Sequence, residues 1–64
     1  MKIIFEGVTR DGRRQAGVTD VDNVLEWARL RFHRGWQSLE VVDEPGRKLV
    51  RIVSDPDPRF VVEV

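Results

Sequence analysis

Two short turns do most to limit what this chain can become. Asp11-Gly12 lies between the β-prone runs Ile3–Thr9 and Arg14–Thr19, and Glu44-Pro45-Gly46-Arg47 lies between Trp36–Val42 and Lys48–Val53. A glycine flanked by extended runs supplies the positive φ that tight hairpin turns demand. Each turn therefore predicts a β-hairpin. The stretch between the hairpins is long enough for one helix and little else.

Placing Asp11-Gly12 at the tip of a two-residue turn pairs Val8 with Gln15, Gly7 with Ala16 and Phe5 with Val18. Ile3, Phe5, Ala16 and Val18 then share one face, and a slip of one residue would separate Phe5 from Val18. Centring the second turn on Pro45-Gly46 pairs Asp43 with Lys48, Glu40 with Arg51, Val41 with Val50 and Leu39 with Ile52. Opposite charges meet twice and apolar residues meet twice. Ile4, Val8, Val42 and Leu49 are left as apolar positions on the outer face.

From about Asp20 to Arg34 the apolar residues follow a 3.6-residue period. Val21, Val24, Leu25, Ala28 and Phe32 form one stripe, and Asn23, Trp27, Leu30 and Arg34 another on the far side. Thr19 or Asp20 is the expected cap, with Asp20 and Asp22 in the first turn and Arg29, Arg31, His33 and Arg34 near the end, as the helix dipole favours. Gly35 is the expected stop. Ser54-Asp55-Pro56-Asp57-Pro58 reads as an extended connector, and Phe60–Val64 as a last, apolar strand that must pair.

The expected fold is a single α+β domain over residues 1–64, with one helix packed on a four- or five-stranded, mostly antiparallel sheet in the order ββαβββ. The expected core is Ile3, Phe5, Val18, Val21, Val24, Leu25, Ala28, Phe32, Leu39, Val41, Val50 and Ile52, joined by Phe60 and Val62. So short a chain buries only roughly 60% of its unfolded surface. It holds no Cys and one His, which removes disulfides, thiolate metal sites and an ordinary zinc site. Self-association is one remaining route to stability. The lack of Cys and of any long apolar run fits a cytoplasmic protein that neither crosses nor enters a membrane.

The opening MKIIFEG, the Thr19-Asp20 entry to a helix and the closing FVVEV give an element order that resembles the β-grasp (ubiquitin-like) fold. That resemblance implies a last strand lying parallel to the first in the middle of the sheet. The ending Glu63-Val64 is not the Gly-Gly tail of ubiquitin-like modifiers and sulfur carriers, so the resemblance implies a binding scaffold and not conjugation chemistry. Arginine outnumbers lysine nine to two, the usage of GC-rich genomes, and in size and composition the chain looks like short proteins of phages with GC-rich hosts.

Residues able to carry chemistry are few. His33, the one histidine, has Ser38 and Glu40 as its nearest candidate partners in sequence, with no nucleophile-elbow pattern around Ser38. Asp55 and Asp57 lack the further oxygen ligands of a calcium loop. The glycines form no phosphate-binding pattern. The expectation is no catalytic residue, no metal and no cofactor.

What remains is binding. Trp27 and Leu30 stand off the main stripe beside Arg31 and Arg34, an aromatic-and-arginine set of the kind enriched at protein interfaces. Two readings of Trp27 are open: an interface residue, or a side chain covering the shallow spot expected at Gly7 and Ala16. Trp36 could fold back on Leu30. The leading expectation is a protein-binding or self-assembling module, including a homodimer, with Trp27, Leu30, Arg31 and Arg34 at the contact. The alternative is a nucleic-acid binder using Arg13, Arg14, Arg29, Arg31 and Arg34. Eleven acidic residues balance eleven basic ones, so any such binding must be local.

Overall fold

A computed structural model describes residues 1–63 and places five strands and one helix in the order β1 (Lys2–Val8), β2 (Arg14–Asp20), α1 (Val24–His33), β3 (Ser38–Asp43), β4 (Lys48–Val53) and β5 (Arg59–Val62). The α+β class follows as expected, with the helix on one face of a single sheet. The strands lie in the spatial order β2-β1-β3-β4-β5, and every neighbouring pair is antiparallel. This is not the arrangement that the resemblance implied. β3 takes the place beside β1, and β5 closes the far edge on β4, running antiparallel to it. The connector before β5 explains this. Ser54–Pro58 bends and does not run extended. A reversal so short returns the chain beside the strand it has just left. Val64, the end of the expected last strand, lies outside the described residues.

Both hairpins use the same loop, one residue longer than expected. In the first, the Thr9 N–H donates to the Arg13 carbonyl (2.9 Å) and the Gly12 N–H to the Thr9 carbonyl (3.1 Å). In the second, the Asp43 N–H donates to Arg47 (3.0 Å) and the Gly46 N–H to Asp43 (2.9 Å). Gly12 and Gly46 hold φ of 85° and 94°. In each loop the first side chain also accepts from the fifth residue's N–H: Thr9 Oγ1 from Arg13 (3.2 Å) and Asp43 Oδ1 from Arg47 (2.8 Å). Three residues thus separate the closing pair, and glycine sits at the left-handed position after the turn proper.

The extra residue shifts the first hairpin by one throughout. Phe5 faces Gly17, Ile4 faces Val18, Glu6 faces Ala16 and Val8 faces Arg14. Ala16 and Val18 therefore leave the helix side for the outer face, where Val18 is 59% exposed. In the second hairpin the same shift pairs Val42 with Lys48, so the expected Asp43–Lys48 pair does not form. Leu49 then bulges out of the ladder and restores the expected pairs Val41–Val50, Glu40–Arg51 and Leu39–Ile52. Leu49, expected outside, packs against the core.

That core is Ile3, Ala28, Leu39, Val41, Val50 and Ile52, ringed by Phe5, Val21, Val24, Trp27, Phe32, Trp36, Leu49 and Phe60. Val18, Leu25 and Val62 were expected inside and are exposed. Leu25 lies at the edge of the helix face that Val24, Trp27, Ala28 and Phe32 turn to the core. The helix is also shorter than expected. Thr19 and Asp20 do not cap it, because they complete β2 opposite Ile3 and Lys2, and the cap passes to Asn23, whose side chain accepts from the Glu26 N–H (3.1 Å). The C-terminus ends as the sequence indicates. The Gly35 N–H donates to the Phe32 carbonyl (3.0 Å), and the Trp36 N–H to that of Arg31 (3.2 Å). This is the Schellman closure, with Gly35 at φ 82°.

Candidate functional site

The helix packs on one side of the sheet only, and among the described residues no element covers the other side. Alternation along the strands, combined with the register, defines what that open face carries. Ile4 stands between Val18 and Val42 on its neighbouring strands, giving an apolar row across β2, β1 and β3. Ile4 is 40% exposed and Val42 is half-buried. Beside this row, Glu6 and Glu40 face each other directly across β1 and β3. Like charges so placed repel. Arg14 binds Glu6 from one flank, and Arg51 lies opposite Glu40 from the other. Arg51 itself is in ionic contact with Glu63, with its Nε outside hydrogen-bond geometry. Glu40 forms no ion pair among the described residues. Val8, Ser38 and Val53 complete a shallow depression around Glu6, Arg14, Glu40 and Arg51.

The residues expected at a helix interface are divided by the structure. Trp27 is half-buried and packs on Phe5, ring centroids 5.0 Å apart and planes at 59°. The Arg31 guanidinium lies 3.7 Å from the centre of the Trp27 ring, and its Nη1 donates to the Trp27 carbonyl (3.0 Å). Burial, with Arg34 nearby, pushes the Arg31 guanidinium below its ordinary value. Trp27 and Arg31 are thus engaged within the molecule. Leu30, 46% exposed, and Arg34 remain on the surface. Trp27 does not cover Gly7. Trp36 does: a Cβ on Gly7 would lie 3.0 Å from its ring.

The arginines of the nucleic-acid alternative do not form one stripe. Arg13 turns to Asp11 (3.2 Å) and Arg14 to Glu6, while Arg29 lies over the Phe60 ring (5.3 Å) and Arg31 over Trp27. The first hairpin does meet the helix end. Gln37 donates from its backbone to the Val8 carbonyl (2.8 Å) and from its side chain to the Arg10 carbonyl (3.2 Å). Arg10, at the tip of the first hairpin, thereby joins the end of the molecule that carries Arg34.

His33 is exposed beside Phe32, with no hydrogen-bond partner among the described residues, and Asp55 and Asp57 are exposed in the β4–β5 loop. Among the described residues, no group of three or more His, Asp or Glu side chains is placed to hold a metal, and no helix is long and apolar enough to cross a membrane. Comparison with protein-family models, with curated proteins and with solved structures finds no match for this chain.

Proposed function

We propose that the protein is a non-enzymatic protein-binding module whose recognition surface is the open face of its sheet. The observation that carries this is the row Val18–Ile4–Val42, apolar and uncovered, beside the opposed carboxylates Glu6 and Glu40. Apolar area without cover is what association buries, and a charged border of this kind gives orientation. The opposed carboxylates favour a protein partner that brings a cation over a nucleic acid that brings phosphates. The partner's apolar residues would lie on Ile4 and its cation beside Glu40.

The test uses Ile4→Lys and Val42→Lys, both on the outer face. A protein captured from the source cells by the native chain should be lost from either variant and retained by Leu30→Lys and Arg34→Glu. Capture that survives both face variants overturns the proposal. The meeting of Arg10 with the Arg34 end keeps nucleic acid as the second reading. Binding to DNA or RNA that weakens steeply between two salt concentrations, and that Arg34→Glu abolishes, would support it.

A further inference from the structure

The two edges of the sheet are not alike. β5 is four residues long and is preceded by Pro56 and Pro58, devices that discourage further pairing. β2 is seven residues long, free of proline, and paired with β1 without a register break. Its outer edge is unpaired among the described residues.

The hydrogen bonds at the two ends of the β1–β2 ladder show which groups that edge offers. Met1 and Val21 exchange both bonds, Val21 N–H to the Met1 carbonyl and the Met1 amine to the Val21 carbonyl, each 2.9 Å. At the other end the Thr9 N–H donates to Arg13. Bonded pairs alternate along an antiparallel ladder, so Thr19, Gly17 and Gln15 are bonded to β1. Arg14, Ala16, Val18 and Asp20 therefore point their N–H and C=O groups outward.

We propose that β2 pairs with β2 of a second copy, antiparallel and centred on Gly17, making a twofold dimer with one continuous sheet. Only pairings that match outward groups with outward groups are open to it. Among those, the Gly17-centred register alone uses the whole strand. It sets Arg14 opposite the partner's Asp20 at each end, a charge match that the strand makes with itself. It sets Ala16 opposite the partner's Val18 on the outer face, covering Val18, the most exposed of the large apolar side chains. It sets Gly17 opposite the partner's Gly17 as a non-bonded pair, where two backbones come closest. The Phe5 ring already fills the space beside Gly17: a Cβ there would lie 3.3 Å from it. A larger residue at the axis would crowd both rings. Sliding the pairing by two residues either way breaks both matches: one slide sets Arg14 opposite the partner's Val18, the other sets Asp20 opposite the partner's Ala16.

The dimer forms along an edge and takes only Val18 from the open face, leaving Ile4 and Val42, the residues that the binding test changes, outside the contact, so the dimer and the partner-binding function can fail separately. Ala16→Pro removes one outward N–H and no bond to β1, a place where an edge strand tolerates proline. Sedimentation equilibrium should show a dimer for the native chain and for Ile4→Lys, with dissociation at least about tenfold easier for Ala16→Pro. Amide exchange on the native chain gives a readout that needs no variant. The amides of Arg14, Ala16, Val18 and Asp20 should gain protection with rising concentration, while those of Gln15, Gly17 and Thr19 are protected at every concentration. A native chain that stays monomeric at about 1 mM overturns the proposal. So does a dimer in which those four amides exchange freely.

Discussion

Trp36 rests on Gly7. A Cβ at position 7 would approach the indole to 3.0 Å and the Ser38 carbonyl oxygen to 2.5 Å, so the strand passes under the ring only because that position is bare. The Schellman closure delivers Trp36 to this point one residue after Gly35. Gly7→Ala should cost about 1–3 kcal/mol, since backbone as well as ring must move. Urea denaturation would measure it. A change below about 0.5 kcal/mol would show that the two elements are not held at this distance.

Trp27 and Leu30 are neighbours on the helix with opposite assignments. Trp27→Ala removes the tilted contact with Phe5 and the platform under Arg31, and should cost about 3 kcal/mol. Leu30→Ala should stay within about 0.5 kcal/mol. Thermal or chemical denaturation of the two variants side by side decides this. Equal losses would mean that Leu30 is covered in solution.

The paired loops give a matched experiment. Asp43 is buried, 3% exposed, and holds the Arg47 N–H and Nε at 2.8 Å each; Thr9 does the corresponding task in the open. Asp43→Ala should cost about 1.5–3 kcal/mol, because a charged acceptor is lost from a dry site. Thr9→Ala should cost about 0.5 kcal/mol. Unfolding free energies for the pair test whether burial sets the difference.

Asp20 accepts from the Met1 amine (2.9 Å), and this bond, with the amine's charge, holds its carboxyl below the ordinary value of 3.8. A carboxyl with a depressed folded pKa stabilises the fold above its ordinary value. That contribution is lost as pH falls through the depressed one. Following the Asp20 carboxyl by NMR should show titration below the usual carboxylate range, returning to it when the amine is acetylated. Asp20→Asn should flatten the same part of the stability–pH curve.

The class of fold was legible because both of its periods were. Alternation marked the strands, the stripe from Val24 to Phe32 marked the helix, and paired charges aligned Glu40 with Arg51. The helix start was not. Thr19, Asp20 and Asn23 all carry side chains able to cap, and the choice fell to Asn23 only because β2 stays paired with β1 through Asp20. Nor was the loop length. Asp-Gly suits a two-residue turn, and it suits equally a longer one with glycine last. The outer apolar positions Ile4, Val8 and Val42 could be read from strand parity alone. Val18 could not, because its side depends on that loop. The strand order depended on a reversal at Ser54–Pro58 that looked extended from its prolines.

One loop design serves both hairpins, yet only the second is followed by a corrective bulge. The first passes its odd residue on to the whole of β2. Dropping a single residue from that tip would turn the strand over. Valine and alanine would go beneath the helix, glycine would go to the solvent, and the outward-pointing amides would change places with those now spent on β1. The chemistry of this molecule's flank is therefore written in the length of a loop some distance away from it.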